Sequence, residues 1–168
     1  MHRLLVVMLI GVLAVPVLAL SACGGAGGAG MGSPEDARIV LTNVLTAGLE
    51  DNYQAARPNL DAVDWLSSLG HPQAAEFTRL PADEQDELVQ RFFGMIKQVS
   101  EVTTLKDRAS MLAAVQAASV DSLPLLKVVR FQFSAPDSER ADRHVTVKAK
   151  MRYGIDQVWR LSDLETDF

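Results

Sequence analysis

A chain of 168 residues with 16 basic and 21 acidic side chains carries a formal charge of −5. That acidic balance argues against general nucleic-acid binding, which needs a basic face to neutralise phosphates. The single cysteine excludes a disulfide framework within the chain. His71 and His144 have no His or Cys neighbour at zinc-ligand spacing, so no metal and no cofactor is expected.

The chain opens "MHRLLVVMLIGVLAVPVLALSAC". Arg3 precedes an apolar run from Leu4 to Leu20 that contains Gly11 and Pro16. The run is shorter than the roughly 20 apolar residues a transmembrane helix needs. A charged start, an apolar middle and small residues at the end read as a secretory signal peptide over residues 1–22. Its last part, Leu20-Ser21-Ala22-Cys23, resembles the bacterial lipobox. The resemblance implies cleavage between Ala22 and Cys23, a diacylglyceryl group on the Cys23 thiol, and an acyl chain such as palmitate on the new amino group. Each buried methylene contributes about 0.8 kcal/mol, so one acyl chain anchors marginally and two or three hold firmly. Cys23 is then an anchor rather than a nucleophile, and the membrane is the first expected partner. An Asp after the cysteine retains such lipoproteins in the inner membrane, and residue 24 is Gly. The implied location is the cell envelope: the outer membrane, facing the periplasm, in a host with two membranes, otherwise the cell surface.

"GGAGGAGMGSP", residues 24–34, continues the lipidated cysteine as a tether, because Gly-rich linkers behave as flexible coils. About ten such residues have an r.m.s. span of roughly 18 Å and a limit near 35 Å. Residues 35–168 remain as a single globular domain. A chain of about 150 residues buries roughly 70% of its unfolded surface, enough for a core without covalent staples.

Ser33, Pro34, Glu35 and Asp36 combine a capping hydroxyl, a proline at the first helical position and acid at the positive dipole end. The helix they open carries Ala37, Val40, Leu41, Val44, Leu45, Gly48 and Leu49 on one stripe. A break at Asp51 or Asn52 precedes a short helical turn that ends before Pro58. "NLDAVDWLSSLG" predicts a short amphipathic helix anchored by Leu60, Val63, Trp65 and Leu66, and "GHP" a turn. In "LPADEQDELVQRFFGMIKQVSEV" acids crowd the start, and Leu88, Phe92, Met95, Ile96 and Val99 share a face. "TLKD" at 104–107 reads as a capping box ahead of a helix that buries Met111, Leu112, Val115 and Ala118.

After Pro124 the apolar period drops to two. "LKVVRFQF" places Val129, Phe131 and Phe133 on one face. "HVTVKAKMRY" turns Val145, Val147, Ala149, Met151 and Tyr153 inward and Thr146, Lys148, Lys150 and Arg152 outward. "QVWRLSDL" adds a strand with Trp159 and Leu161 inward. One-sided alternation marks antiparallel strands with a solvated face. The fold class is therefore α+β, with N-terminal helices packed on a C-terminal antiparallel sheet of three or more strands. This order, with "LTAGLEDNYQAARPNL" and "VTVKAKMRY…QVWRL", resembles the cone-shaped nuclear-transport-factor-two-like (cystatin-like) fold found in small bacterial lipoproteins. Many members have a further strand with a second Trp. The chain here closes on "SDLETDF", which implies a smaller sheet and a more open cone. The family hosts enzymes, ligand binders and non-catalytic modules alike.

No catalytic constellation is nominated. There is no nucleophile elbow or phosphate loop, and the clusters "ADEQDE" and "DLETD" fall at a helix start and at the chain end. Residues 140–160 carry a local excess of four positive charges. Arg143, Lys148, Lys150 and Arg152 form a candidate patch for an anionic partner, either an envelope protein or anionic lipid. Edge lysines that discourage strand aggregation would give the same pattern. The expected function is a non-catalytic binding or interaction module on the membrane. An alternative is a carrier or sensor of a small apolar ligand, its cone lined by Phe92, Met95, Phe131, Phe133, Met151, Tyr153 and Trp159, although such residues also simply fill cores. A hydrolase or isomerase is a further alternative without a residue to nominate.

Overall fold

A computed structural model describes residues 32–167. Five α-helices, α1 Pro34–Leu49, α2 Tyr53–Ala56, α3 Ala62–Ser68, α4 Ala82–Val102 and α5 Arg108–Gln116, precede the sheet. Four strands, β1 Ser119–Leu123, β2 Val128–Pro136, β3 His144–Tyr153 and β4 Trp159–Asp167, pair antiparallel in sequence order. The helices and sheet make an α+β fold. The segments read as signal peptide and, for the most part, as tether, with Ala22 and Cys23, lie outside the described residues.

Local chemistry sets the first helix. The Ser33 hydroxyl accepts from the Asp36 N–H at 3.1 Å, and Asp36 accepts from the Ser33 N–H at 3.0 Å, a reciprocal box that closes two orphan donors. Ala37, Leu41, Val44, Leu45 and Gly48 are buried, with Val40 and Leu49 half-buried at the margins. Gly48 lets α1 approach α4 closely: a Cβ there would stand 2.7 Å from Ile96 Cγ2 and 3.2 Å from the Ile96 carbonyl carbon. Two further contacts fix α2 and α3. Tyr53 donates to Asp86 of α4 at 2.7 Å. Trp65 of α3 stacks on Phe92 of α4, with ring centroids 4.8 Å apart and planes at 6°.

The sheet's inner face is apolar throughout. Val129, Phe131, Phe133 and Ala135 on β2, Val145, Val147, Ala149 and Met151 on β3, and Trp159, Leu161 and Leu164 on β4 are all buried in one core with α1, α4 and α5. The segment before α3 closes the outer edge of β4: the Asp61 N–H donates to the Leu161 carbonyl at 2.8 Å, and Leu60 bridges Leu161. An edge so occupied is removed from aggregation.

Four details depart from the sequence expectation. β1 is an additional strand, and its "SVDSL" lacks the clean alternation that would announce it. Asp107, not Thr104, caps α5, with Ser110 completing its box. Val63 and Leu112 are 37% and 40% exposed, because nothing among the described residues covers those sides of α3 and α5. A bulge opposite Lys150/Met151 leaves both Leu161 and Ser162 buried, so Asp163 turns outward and Leu164 inward. The Ser162 hydroxyl donates to the Lys150 carbonyl at 3.1 Å, pinning the irregularity.

Candidate functional site

Among the described residues, no helix covers the middle of the sheet's outer face. This face carries a groove of about 560 Å³ that crosses all four strands. Strand register explains its chemistry. One row across the sheet runs Asp121, Arg130, Lys150, Asp163; the next runs Ser119, Gln132, Lys148, Glu165. Cations occupy the two central strands and carboxylates the two outer ones. Arg130 and Lys150 stand directly opposite each other, an arrangement that is unfavourable unless anions flank it.

The flanking anions are present. Asp121 lies 3.7 Å from Arg130, and Glu165 lies 3.9 Å from Lys148. Asp64 reaches over from α3 and accepts from Lys150 at 2.8 Å and from Arg152 at 3.1 Å. Burial works to raise the Asp64 carboxyl, but the Lys150 ammonium, with help from Ser162 and Arg152, holds it below the usual carboxylate range. Asp163 behaves oppositely. Burial pushes it above that range, and the Leu164 N–H at 3.0 Å only partly offsets the effect. The groove thus contains a central strip of cations between two carboxylate borders, one of which, Asp163, ionises reluctantly.

The sequence-derived patch is only partly assembled here. Lys148 and Lys150 line the groove. Arg152 follows them on β3 beyond the groove, bonded to Asp64. Arg143 lies in the β2–β3 connection, 4.0 Å from Asp137. Arg130 joins the site from β2. It was hidden in sequence because it falls outside the basic-rich stretch, and only strand pairing brings it beside Lys150.

The residues nominated as a cone lining occupy the opposite face. Phe92, Phe131, Phe133, Met151 and Trp159 are buried in the core, while Met95 and Tyr153 are half-buried against it. Phe131 also borders the groove's floor. A second titratable cluster joins α2 to α4, where Asp86 bonds Tyr53, Gln90 and, at 2.9 Å, Arg57. Burial and the Asp86 carboxylate together push the Tyr53 hydroxyl up to about 12. These contacts connect helices around a half-buried carboxylate rather than line a cavity.

Among the described residues, no group of three or more His, Cys, Asp or Glu side chains is placed to hold a metal ion. No helix among them is long and apolar enough to cross a membrane. No protein-family model, curated protein or solved structure matches the chain. The groove's own chemistry therefore carries the functional reading.

Proposed function

We propose that the chain is a membrane-anchored envelope lipoprotein, held through Cys23, whose domain is a non-catalytic binding module that uses the outer face of its sheet. The lipobox-like Leu20-Ser21-Ala22-Cys23 supports the anchor. One observation carries the binding face: Arg130 and Lys150 are paired across adjacent strands, with Lys148 beside them, on a face whose middle no helix among the described residues covers. A protein surface that inserts a carboxylate between these cations would relieve their repulsion, and basic groups at its margins would meet Asp121 and Glu165. Such alternation contributes specificity and association rate more than raw affinity.

The test is photocrosslinking in the native envelope, from a photoreactive residue at Gln132 in the full chain. The expected result is a discrete protein adduct that disappears when Arg130→Glu and Lys148→Glu are combined. An adduct pattern unchanged by that double reversal would refute the face. Release of the full chain from membranes in the aqueous fraction would refute the anchor.

A further inference from the structure

The end of the sheet that carries the β1–β2 and β3–β4 connections has an unusual surface. Hairpin tips are ordinarily built from Gly, Asn, Asp and Ser, whose side chains serve the turn or tolerate water. Here the tips are Leu125 and Leu126 in one connection and Ile155 in the other, exposed by 100%, 64% and 98%. Single exposed apolar residues need no explanation, but three at one end form a patch. They are held together rather than splayed. The Tyr153 N–H donates to the Lys127 carbonyl at 2.9 Å, tying the β1–β2 connection to the end of β3, and Leu126 and Ile155 border the same small cleft of about 280 Å³.

Three basic side chains, Lys127, Arg152 and Arg160, and one carboxylate, Asp61, border the cleft at the tips. Arg160 is engaged by Asp156 and Arg152 by Asp64, whereas Lys127 forms no ion pair among the described residues. Aliphatic tips beside long basic side chains suit a bilayer interface, where the tips enter the acyl boundary and the charged heads stay among the phosphates.

The path of the chain selects the occupant. Gly32 lies flush against this same end of the sheet: a Cβ there would stand 2.7 Å from Trp159 Nε1 and 2.8 Å from Tyr153 Cε2. Tyr153 closes β3 and Trp159 opens β4, so the segment from Cys23 reaches the domain at the foot of the Ile155 hairpin. Nine residue steps separate Cys23 from Gly32, which is about 30 Å at full extension. A lipid on Cys23 would keep this end nearer the bilayer than the β2–β3 connection at the other end.

We propose that Leu125, Leu126 and Ile155 insert into the surface of the membrane that holds Cys23, so that the domain stands on the hairpin end with its charged groove facing sideways into the aqueous space. This rests on the lipid-anchor reading. It differs from laying the Lys148–Arg152 face on the membrane, since that face would then be free for a partner.

The full lipidated chain, purified and reconstituted into vesicles of phosphatidylethanolamine and phosphatidylglycerol, tests the proposal. Ile155→Cys provides a single free thiol for an environment-sensitive dye, because Cys23 is consumed by lipid. Glu139→Cys, exposed in the β2–β3 connection, is the control. The expected result is a blue-shifted dye at 155 that nitroxide lipids quench at least several-fold more strongly than the dye at 139. Equal, water-like emission from both dyes on floating vesicles overturns the insertion while leaving the anchor intact. A blue-shifted but unquenched dye at 155 also overturns it, and shows that a second copy or another protein covers the tips. A chain that fails to float with the vesicles overturns both the anchor and the insertion.

Discussion

The two faces of the sheet are made by the same three long strands and obey different rules. The inner face is continuous hydrocarbon, with Phe131, Ala149 and Leu164 aligned in one row and Val129 and Met151 in the next. Burial there decides register, because a one-residue slip would exchange the buried apolar side chains for outward ones such as Arg130, Gln132, Thr146 and Lys148. On the outer face the rows are ionic. Their energies are small and partly opposed, as the juxtaposed Arg130 and Lys150 demonstrate. The inner face can therefore hold strained electrostatics on the outer one, and a binding surface can be placed where it contributes little to folding.

The contrast is testable by substitution, beginning with its largest expected effect. Phe131→Ala on the inner face should destabilise by about 3–5 kcal/mol, read as a lower urea midpoint at unchanged slope, because the removed ring leaves a cavity in a packed core. A loss under about 1 kcal/mol would mean that the inner face is not what sets the sheet.

Asp64→Asn should cost roughly 1 kcal/mol at neutral pH, since it leaves the half-buried Lys150 without its charged partner. Its pH dependence has a definite sign. Asp64 has a folded pKa below the unfolded value, so the unfolded state binds more protons between the two. The contribution is full above the ordinary carboxylate range and disappears as pH falls through the depressed folded value. Acid unfolding curves of native and variant protein should converge there.

Asp163→Asn should run the other way, neutral or stabilising by up to about 1 kcal/mol at pH 7. Its folded pKa is raised by burial, so stability falls as pH rises from the unfolded pKa through the folded one, a loss the amide does not suffer. The variant should gain on the native protein across that interval and stay level above it. A net loss at pH 7 would mean that Leu164, Ser68 and Lys150 together hold the charged form of Asp163 more strongly than burial penalises it.

The smallest effect belongs to Lys148→Gln. It should change stability by no more than about 0.5 kcal/mol, because its ion pair with Glu165 is loose and both side chains are more than half exposed. If thermal melting shows a larger drop, the outer face contributes to folding and the contrast weakens.

Sequence by itself determined whatever depends on neighbours along the chain. The capping pattern at Ser33–Asp36, the acid-loaded start of α4, and the period-two alternation of β2 and β3 follow from local hydrogen bonding, dipole and steric preference. These were enough for helices packed on an antiparallel sheet. Tertiary structure alone decided what depends on partners distant in sequence. The solvent side of Val63 and Leu112 was set by what failed to cover them. The bulge at Ser162 was set by the fit of β4 to β3, which turned Asp163 outward and Leu164 inward. The groove was set by register, which brought Arg130 beside Lys150 and left Asp64, 86 residues from Lys150, to balance it. Electrostatic partners are chosen by distance in space, and a period read along one strand contains no term for the strand beside it.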